Sequence, residues 1–275
     1  MNQSTGWSGF TSRPELRPYI KGFYRAEGYS GAKDVHSMVG GPGLSVDLWW
    51  FEGPALTATQ AGGRARRHTG AVIGGTLTRM LSVTRSRGTT GFGVSLAPMA
   101  ASALLGVDAE ALRDNFVDLD DALDRAVPHL SEMVFSARTA VAKAQTVENE
   151  LLKLLHKRQD VDDRVARVVG RLAQSVEGAT VEGLAEEIGY TRRRLSDLVR
   201  RALGVSPKEL IRIVRFRRAL MLMESWSGPD WLSVVAECGY VDQSHFIRHC
   251  REFTGLPPGE FLSQGLFPPL DPRPQ

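Results

Sequence analysis

Between residues 180 and 253, apolar side chains recur every three to four positions, the spacing of helices buried along one face. In 180–203, TVEGLAEEIGYTRRRLSDLVRRAL, Thr180 suits a helix N-cap, and Leu184, Ala185 and Ile188 form an apolar stripe ending at Gly189. Gly189 is placed for a tight inter-helix turn, where a positive φ is inexpensive only without a Cβ. Thr191 then caps a second helix, with Leu195, Leu198, Val199 and Leu203 inward and Arg192, Arg193, Arg194, Ser196 and Arg200 outward. Residues 231–253, WLSVVAECGYVDQSHFIRHCREF, repeat the plan. Trp231, Leu232, Val234 and Val235 lead into Cys238-Gly239-Tyr240, and Asp242 caps a helix exposing Gln243, Ser244 and His245 before Phe246 turns to the core. The small Ala185 permits close helix approach; its counterpart Val235 fits less well.

One long helix is predicted between the two copies. Ser206 reads as N-cap, Pro207 as the first helical residue and Glu209 as the partner in a capping box. Apolar positions continue through Leu210, Val214, Leu220 and Met223, so about 20 residues should span roughly 30 Å. That is close to one turn of B-DNA, about 34 Å, the separation of successive major grooves on one face. Polar first turns on two helices so spaced are suited to reading base edges.

The first 130 residues change period. Val46, Leu48 and Trp50 alternate with Asp47, Trp49 and Phe51, and the runs beginning at Leu81 and Phe92 alternate likewise across Ser86-Arg87-Gly88. With Tyr19–Arg25 and Ala71–Ile73, four to seven short strands in a sheet or barrel are expected. Helices are expected at 99–105, 109–116 and 119–126, with a longer one near 130–157. The fold class is thus α+β: a β-rich N-terminal unit with helices, and an all-α C-terminal unit of two helix-turn-helix motifs joined by a long helix. Boundaries are expected at 1–157 for a sensing or dimerising domain, 158–265 for the helical domain and 266–275 for an irregular tail containing four prolines counted from Phe267.

Charge is informative locally. The 275 residues carry a formal net charge of only +3. Residues 190–218, however, hold ten basic side chains against Asp197 and Glu209, on both a reading helix and the rod, which points to phosphate contact. Residues 107–126 hold seven carboxylates against Arg113 and Arg125; such a run is read first as a solvated face, and secondly as a contact with the basic domain.

These motifs are specific enough to name a likeness. The order of helix-turn-helix, long helix and helix-turn-helix, with GVSP (204–207) and CGYVDQSHFIRHCREFTGLPPGEF (238–261), resembles the DNA-binding domain of AraC/XylS-type transcription regulators over about 161–264. The resemblance implies seven helices and sequence-specific binding of double-stranded promoter DNA. It places base contacts at Arg193, Ser196 and Asp197 and at Gln243, Ser244, His245 and Arg248; Arg192, Arg194 and Arg200 complete the expected DNA-binding set. RNA polymerase is an implied partner, and an effector and a homodimer are compatible with it. Asp197 departs from the basic or amide side chain frequent there; it could accept from a cytosine amino group, but a salt bridge to Arg193 or Arg201 is preferred. Cys250 replaces a common Phe. More softly, GFGVSLAPMAASALLGVDAEALRDNFVDLDDAL (91–123) resembles the sensor-like domain of that family.

Other chemistry is sparse. Asp47, Trp49 and Phe51 could line an effector pocket, although a sheet core with one bonded carboxylate is the plainer reading. The histidines lack metal-ligand spacing, the glycines at 40–43 lack the lysine and helix of a phosphate cradle, and no cofactor is implied. Cys238 and Cys250 read as buried thiols of a reducing compartment. With no signal pattern and no apolar run long enough for a membrane, a cytoplasmic non-enzyme is expected. The alternatives are a repair protein transferring alkyl groups to cysteine and an architectural protein without sequence choice.

Overall fold

The computed structural model describes residues 10–26, 35–60, 64–157, 164–225 and 235–263. Trp231, Leu232, Val234, the irregular tail and the boundary near 158 lie outside them. An N-terminal antiparallel sheet region is followed by a C-terminal helical region.

Strands β1 (Ile20–Ala26), β2 (Val35–Gly40), β3 (Val46–Glu52), β4 (Leu56–Gln60), β5 (Arg66–His68), β6 (Ala71–Gly74), β7 (Leu81–Ser86), β8 (Thr90–Leu96) and β9 (Phe116–Asp118) form two sheets, ordered β1-β8-β3-β6-β9 and β2-β7-β4-β5. The described residues thus hold nine strands where at most seven were expected. Four of them escaped the alternation test because they are short or lie in turn-rich sequence. Each completes the hydrogen bonding of a neighbouring strand: β9, for instance, pairs Val117 with Ile73.

The expected alternation of β3 is realised. Val46, Leu48 and Trp50 face a core shared with the helices, while Asp47, Trp49 and Phe51 face the other sheet across a cavity. The helical layer comprises a π-helical turn (Ala101–Leu105), α1 (Ala109–Leu112), α2 (Leu119–Leu123), α3 (Leu130–Ser136) and α4 (Ala140–Lys157). Two expectations are corrected here. The helix foreseen over 109–116 stops at Leu112, Asp114 takes a positive φ of 53°, and Phe116 enters a strand. The helix foreseen near 130–157 is two, because the chain at Ala137 is extended and Thr139 restarts it by accepting from the Ala142 amide at 3.1 Å.

A second core belongs to the helical region: α5 (Arg164–Gln174), α6 (Val181–Glu187), α7 (Arg192–Leu203), α8 (Pro207–Ser225), α9 (Gln243–Thr254) and α10 (Pro258–Ser263), with a helical segment at 235–237 before α9. The capping box forms as foreseen. The Ser206 amide donates to Glu209 Oε2 at 3.0 Å and the Glu209 amide donates to Ser206 Oγ at 3.2 Å. No helix among the described residues is long and apolar enough to cross a membrane.

Candidate nucleic-acid interface

Two turns built alike hold the two candidate reading helices. In the first, the Gly189 amide donates to the Glu186 carbonyl at 3.0 Å and the Tyr190 amide to the Ala185 carbonyl at 2.8 Å. In the second, Gly239 donates to Ala236 at 3.2 Å and Tyr240 to Val235 at 3.0 Å. This pair of bonds closes a helix through a residue in the left-handed region, and Gly189 and Gly239 have φ of 70° and 68°. Each following helix is capped by a side chain three residues upstream of the amide it accepts: Thr191 from Arg194 at 3.3 Å, Asp242 from His245 at 2.7 Å. Both helices are 12 residues long and end on a glycine with positive φ, Gly204 and Gly255. The second turn contains one more residue than the first, Val241, which is 85% exposed.

In α7, Leu195, Val199 and Leu203 anchor the helix, while Arg192, Arg193, Arg194, Asp197 and Arg200 are exposed and Ser196 half-buried. Two of these side chains are already engaged. Arg192 pairs with Glu182 at 2.5 Å, a contact that holds the Glu182 carboxyl below its usual range. Arg194 lies over the Tyr190 ring, 4.5 Å from its centroid, and Arg164 lies over the same ring at 4.7 Å. Arg193 and Asp197 make no ion pair among the described residues, so the expected Asp197 salt bridge is not formed.

In α9, Gln243, Ser244 and Arg248 are exposed. His245 is placed differently from the expected outward position: its ring packs edge-on to Tyr240 and His249, and its Nε2 lies 3.1 Å from Nε2 of His249. Burial is the main cause that lowers both imidazole pKa values, with Arg248 acting next on His245; that of His249 falls to about 4, helped by Arg212.

The rod corrects the charge reading. Ile211, Ile213, Phe216, Ala219 and Leu220 bury α8 on several sides, so its arginines are drawn into contacts within the protein. Arg212 pairs with Glu252 and lies over Phe253, and Arg215 donates to the Ala179 carbonyl at 3.3 Å. Arg217 reaches the rim of the N-terminal cavity. Periodicity failed to separate these from phosphate contacts because a long arginine stem can bury while its head finds a partner. Arg200, Arg201 and Lys208 remain exposed.

The N-terminal unit touches both reading helices and the rod. The α1 helix abuts the C-terminal end of α7, where a Cβ on Gly204 would run into the Ala109 carbonyl. Arg113 pairs with Glu209 of the rod at 2.6 Å. The acidic run therefore meets the basic domain through its arginine; Asp108 and Asp118 cap their own helices, and Asp120, Asp121 and Asp124 are exposed.

A cavity of about 190 Å³ lies between the two sheets. Asp47, Trp49 and Phe51 all line it, together with Arg85 of β7, which the sequence reading passed over. The Trp49 and Phe116 rings lie against Gly93 and Gly74, where a Cβ would stand 2.7 and 2.5 Å from ring carbons. Trp49 also stacks on Tyr24 at 5.8 Å.

Comparison with known proteins matches these turns and helices. A family profile described as "Helix-turn-helix domain" covers residues 184–264. Residues 184–264 thus form a helix-turn-helix domain. This domain is similar to that of the HTH-type transcriptional regulator GbdR of Pseudomonas aeruginosa, at 32% identity over 78 residues, 28% of this chain and 21% of the relative. The match thus spans about a fifth of the relative's length. Among solved structures, an AraC-type DNA-binding-domain protein from Chromobacterium violaceum is 24% identical, covering 38% of this chain and 94% of that one with a TM-score of 0.35. ToxT of Vibrio cholerae is 12% identical with a TM-score of 0.48, covering 88% of this chain and 96% of its own. The two like-built turns and both 12-residue helices lie within residues 184–264.

Proposed function

We propose that this protein is a cytoplasmic, sequence-specific transcription regulator that reads two successive major grooves and responds to an effector held between its N-terminal sheets. On this reading 1–157 senses, 158–265 reads DNA and 266–275 is a tail. Regulation further implies contact with RNA polymerase and is compatible with a homodimer on adjoining DNA. The duplication carries the proposal: two glycine turns, two capped 12-residue helices and a 19-residue rod between them, about 28 Å long by helical rise. Arg193, Ser196, Asp197, Gln243, Ser244 and Arg248 are assigned to bases, with His245 supporting the second helix through its ring contacts. Arg192, Arg194 and Arg200 are assigned to phosphates.

The alkyl-transfer alternative is disfavoured by the cysteines. Both are wholly buried, and burial pushes their thiols up to about 12 for Cys238 and about 11 for Cys250, which removes the thiolate such a reaction needs. Footprinting on fragments selected from genomic DNA tests the proposal. Protection over about two helical turns, with affinity falling steeply as salt rises, is expected. Protection of a single turn, or no preference over random competitor, would sink it.

A further inference from the structure

The cavity between the sheets has a chemistry of its own. Three of its walls are apolar or aromatic: Trp49 and Phe51 from β3, Phe116 from β9, and Leu81 and Val83 from β7. The Trp49 ring lies against the backbone at Gly93 and the Phe116 ring against that at Gly74. At about 190 Å³ it exceeds the roughly 150 Å³ that encloses one benzene in a protein interior. That volume suits a single ring with a small substituent.

Into this cavity β7 delivers a cation. Its alternation turns Leu81, Val83 and Arg85 to the same side, and Arg85 is only 6% exposed. Among the described residues, its Nε and Nη1 are buried without a hydrogen-bond partner. A guanidinium held so is costly unless an anion completes it. The lining also contains Lys21, Arg217 and Asp47, the last accepting from Ser45 Oγ at 2.7 Å.

We propose that the cavity takes a small monocyclic carboxylate, its ring between Trp49 and the β7 side chains and its carboxylate on Arg85. This inference rests on the cavity being the effector site of the proposed function, but binding can be measured without DNA. Benzoate is the probe, titrated into the full chain by calorimetry, with toluene, inorganic phosphate and palmitate as comparisons. Benzoate should bind at least tenfold more tightly than toluene or phosphate, and palmitate should not compete with it. Arg85→Met should weaken benzoate at least tenfold and leave toluene unchanged, while melting no lower than the parent. Val83→Phe, which keeps the arginine and fills the cavity, should lose benzoate as well. Equal binding of toluene and benzoate, tighter binding of phosphate or palmitate, an Arg85→Met protein that binds benzoate as before, or no binding of any probe would each overturn the assignment. Arg85-dependent binding that leaves DNA affinity unaltered would uphold it and remove effector response from the proposed function.

Discussion

The Met80 amide donates to the Phe253 carbonyl at 2.8 Å, joining the residue before β7 to the last turn of the second reading helix. The strand that carries Arg85 is therefore one backbone hydrogen bond from α9. Arg217 of the rod lines the cavity beside Gly43, where an added Cβ would lie 2.5 Å from its Nη1. Two physical contacts therefore connect the sheet unit that holds the cavity with the C-terminal helices.

Gly204 and Gly189 have the same positive φ but different surroundings. A Cβ at 189 meets nothing within 4 Å, whereas one at 204 collides with the Ala109 backbone. Gly189→Ala should cost about 1 kcal/mol from backbone strain alone. Gly204→Ala should cost more, about 2–4 kcal/mol, or separate the N-terminal unit from α7. Thermal melts, with limited proteolysis to detect separation, distinguish the two.

Base readers and phosphate contacts should respond to sequence differently. Arg193→Ala or Gln243→Ala should cost about 1–3 kcal/mol at the cognate site and relax preference at the contacted base pair. Arg200→Ala should weaken cognate and random duplexes alike and lower the salt slope by about one. Titrations against both duplexes at several salt concentrations check this; matching behaviour of the two classes would refute the sorting.

The acidic run offers a discriminating pair. Asp120 and Asp121 are exposed and, among the described residues, make no side-chain hydrogen bond or ion pair with the C-terminal helices, so Asp120→Asn with Asp121→Asn should alter neither DNA affinity nor stability. Asp118 accepts from two amides at the start of α2, and Asp118→Ala should cost about 1 kcal/mol in a denaturant titration while DNA affinity is unchanged.

His249 predicts a pH effect with a definite sign. It is buried and its value is lowered to about 4 from near 6.5, so the unfolded chain takes up the proton first. The contribution of His249 to stability is full above pH 6.5, declines as pH falls from there, and levels off below about 4; at most about 3 kcal/mol is at stake. His245, lowered in the same direction, adds to the decline. Urea midpoints across this range should show the slope flattened in His249→Leu, and an unchanged slope would assign it to other groups.

How much was readable can be judged from particular residues. Thr180, Thr191, Ser206 and Asp242 were identified as caps, and Gly189 as the turn glycine, because the relevant bonds run between residues three to five apart. The inward and outward faces of β3 followed from a period of two. Where a residue's role depended on a distant partner, the reading went astray. His245 is exposed by its place in the first turn of α9, yet Tyr240 and His249 draw its ring inward. Arg212, Arg215 and Arg217 have the spacing of a basic face, and only the elements packed against α8 show that each has a use inside the protein.

The chain by itself therefore set the α+β division, the doubled motif, the rod and the ends of most C-terminal helices, since periodicity, caps and glycine turns act over a few residues. Tertiary structure decided the pairing of short strands, the cation inside the sandwich and the fastening of the N-terminal unit to both reading helices. Those outcomes depend on which surfaces meet between residues far apart in the chain, such as Ile73 with Val117 and Met80 with Phe253. No local pattern distinguishes an arginine that faces water from one that faces a buried cavity.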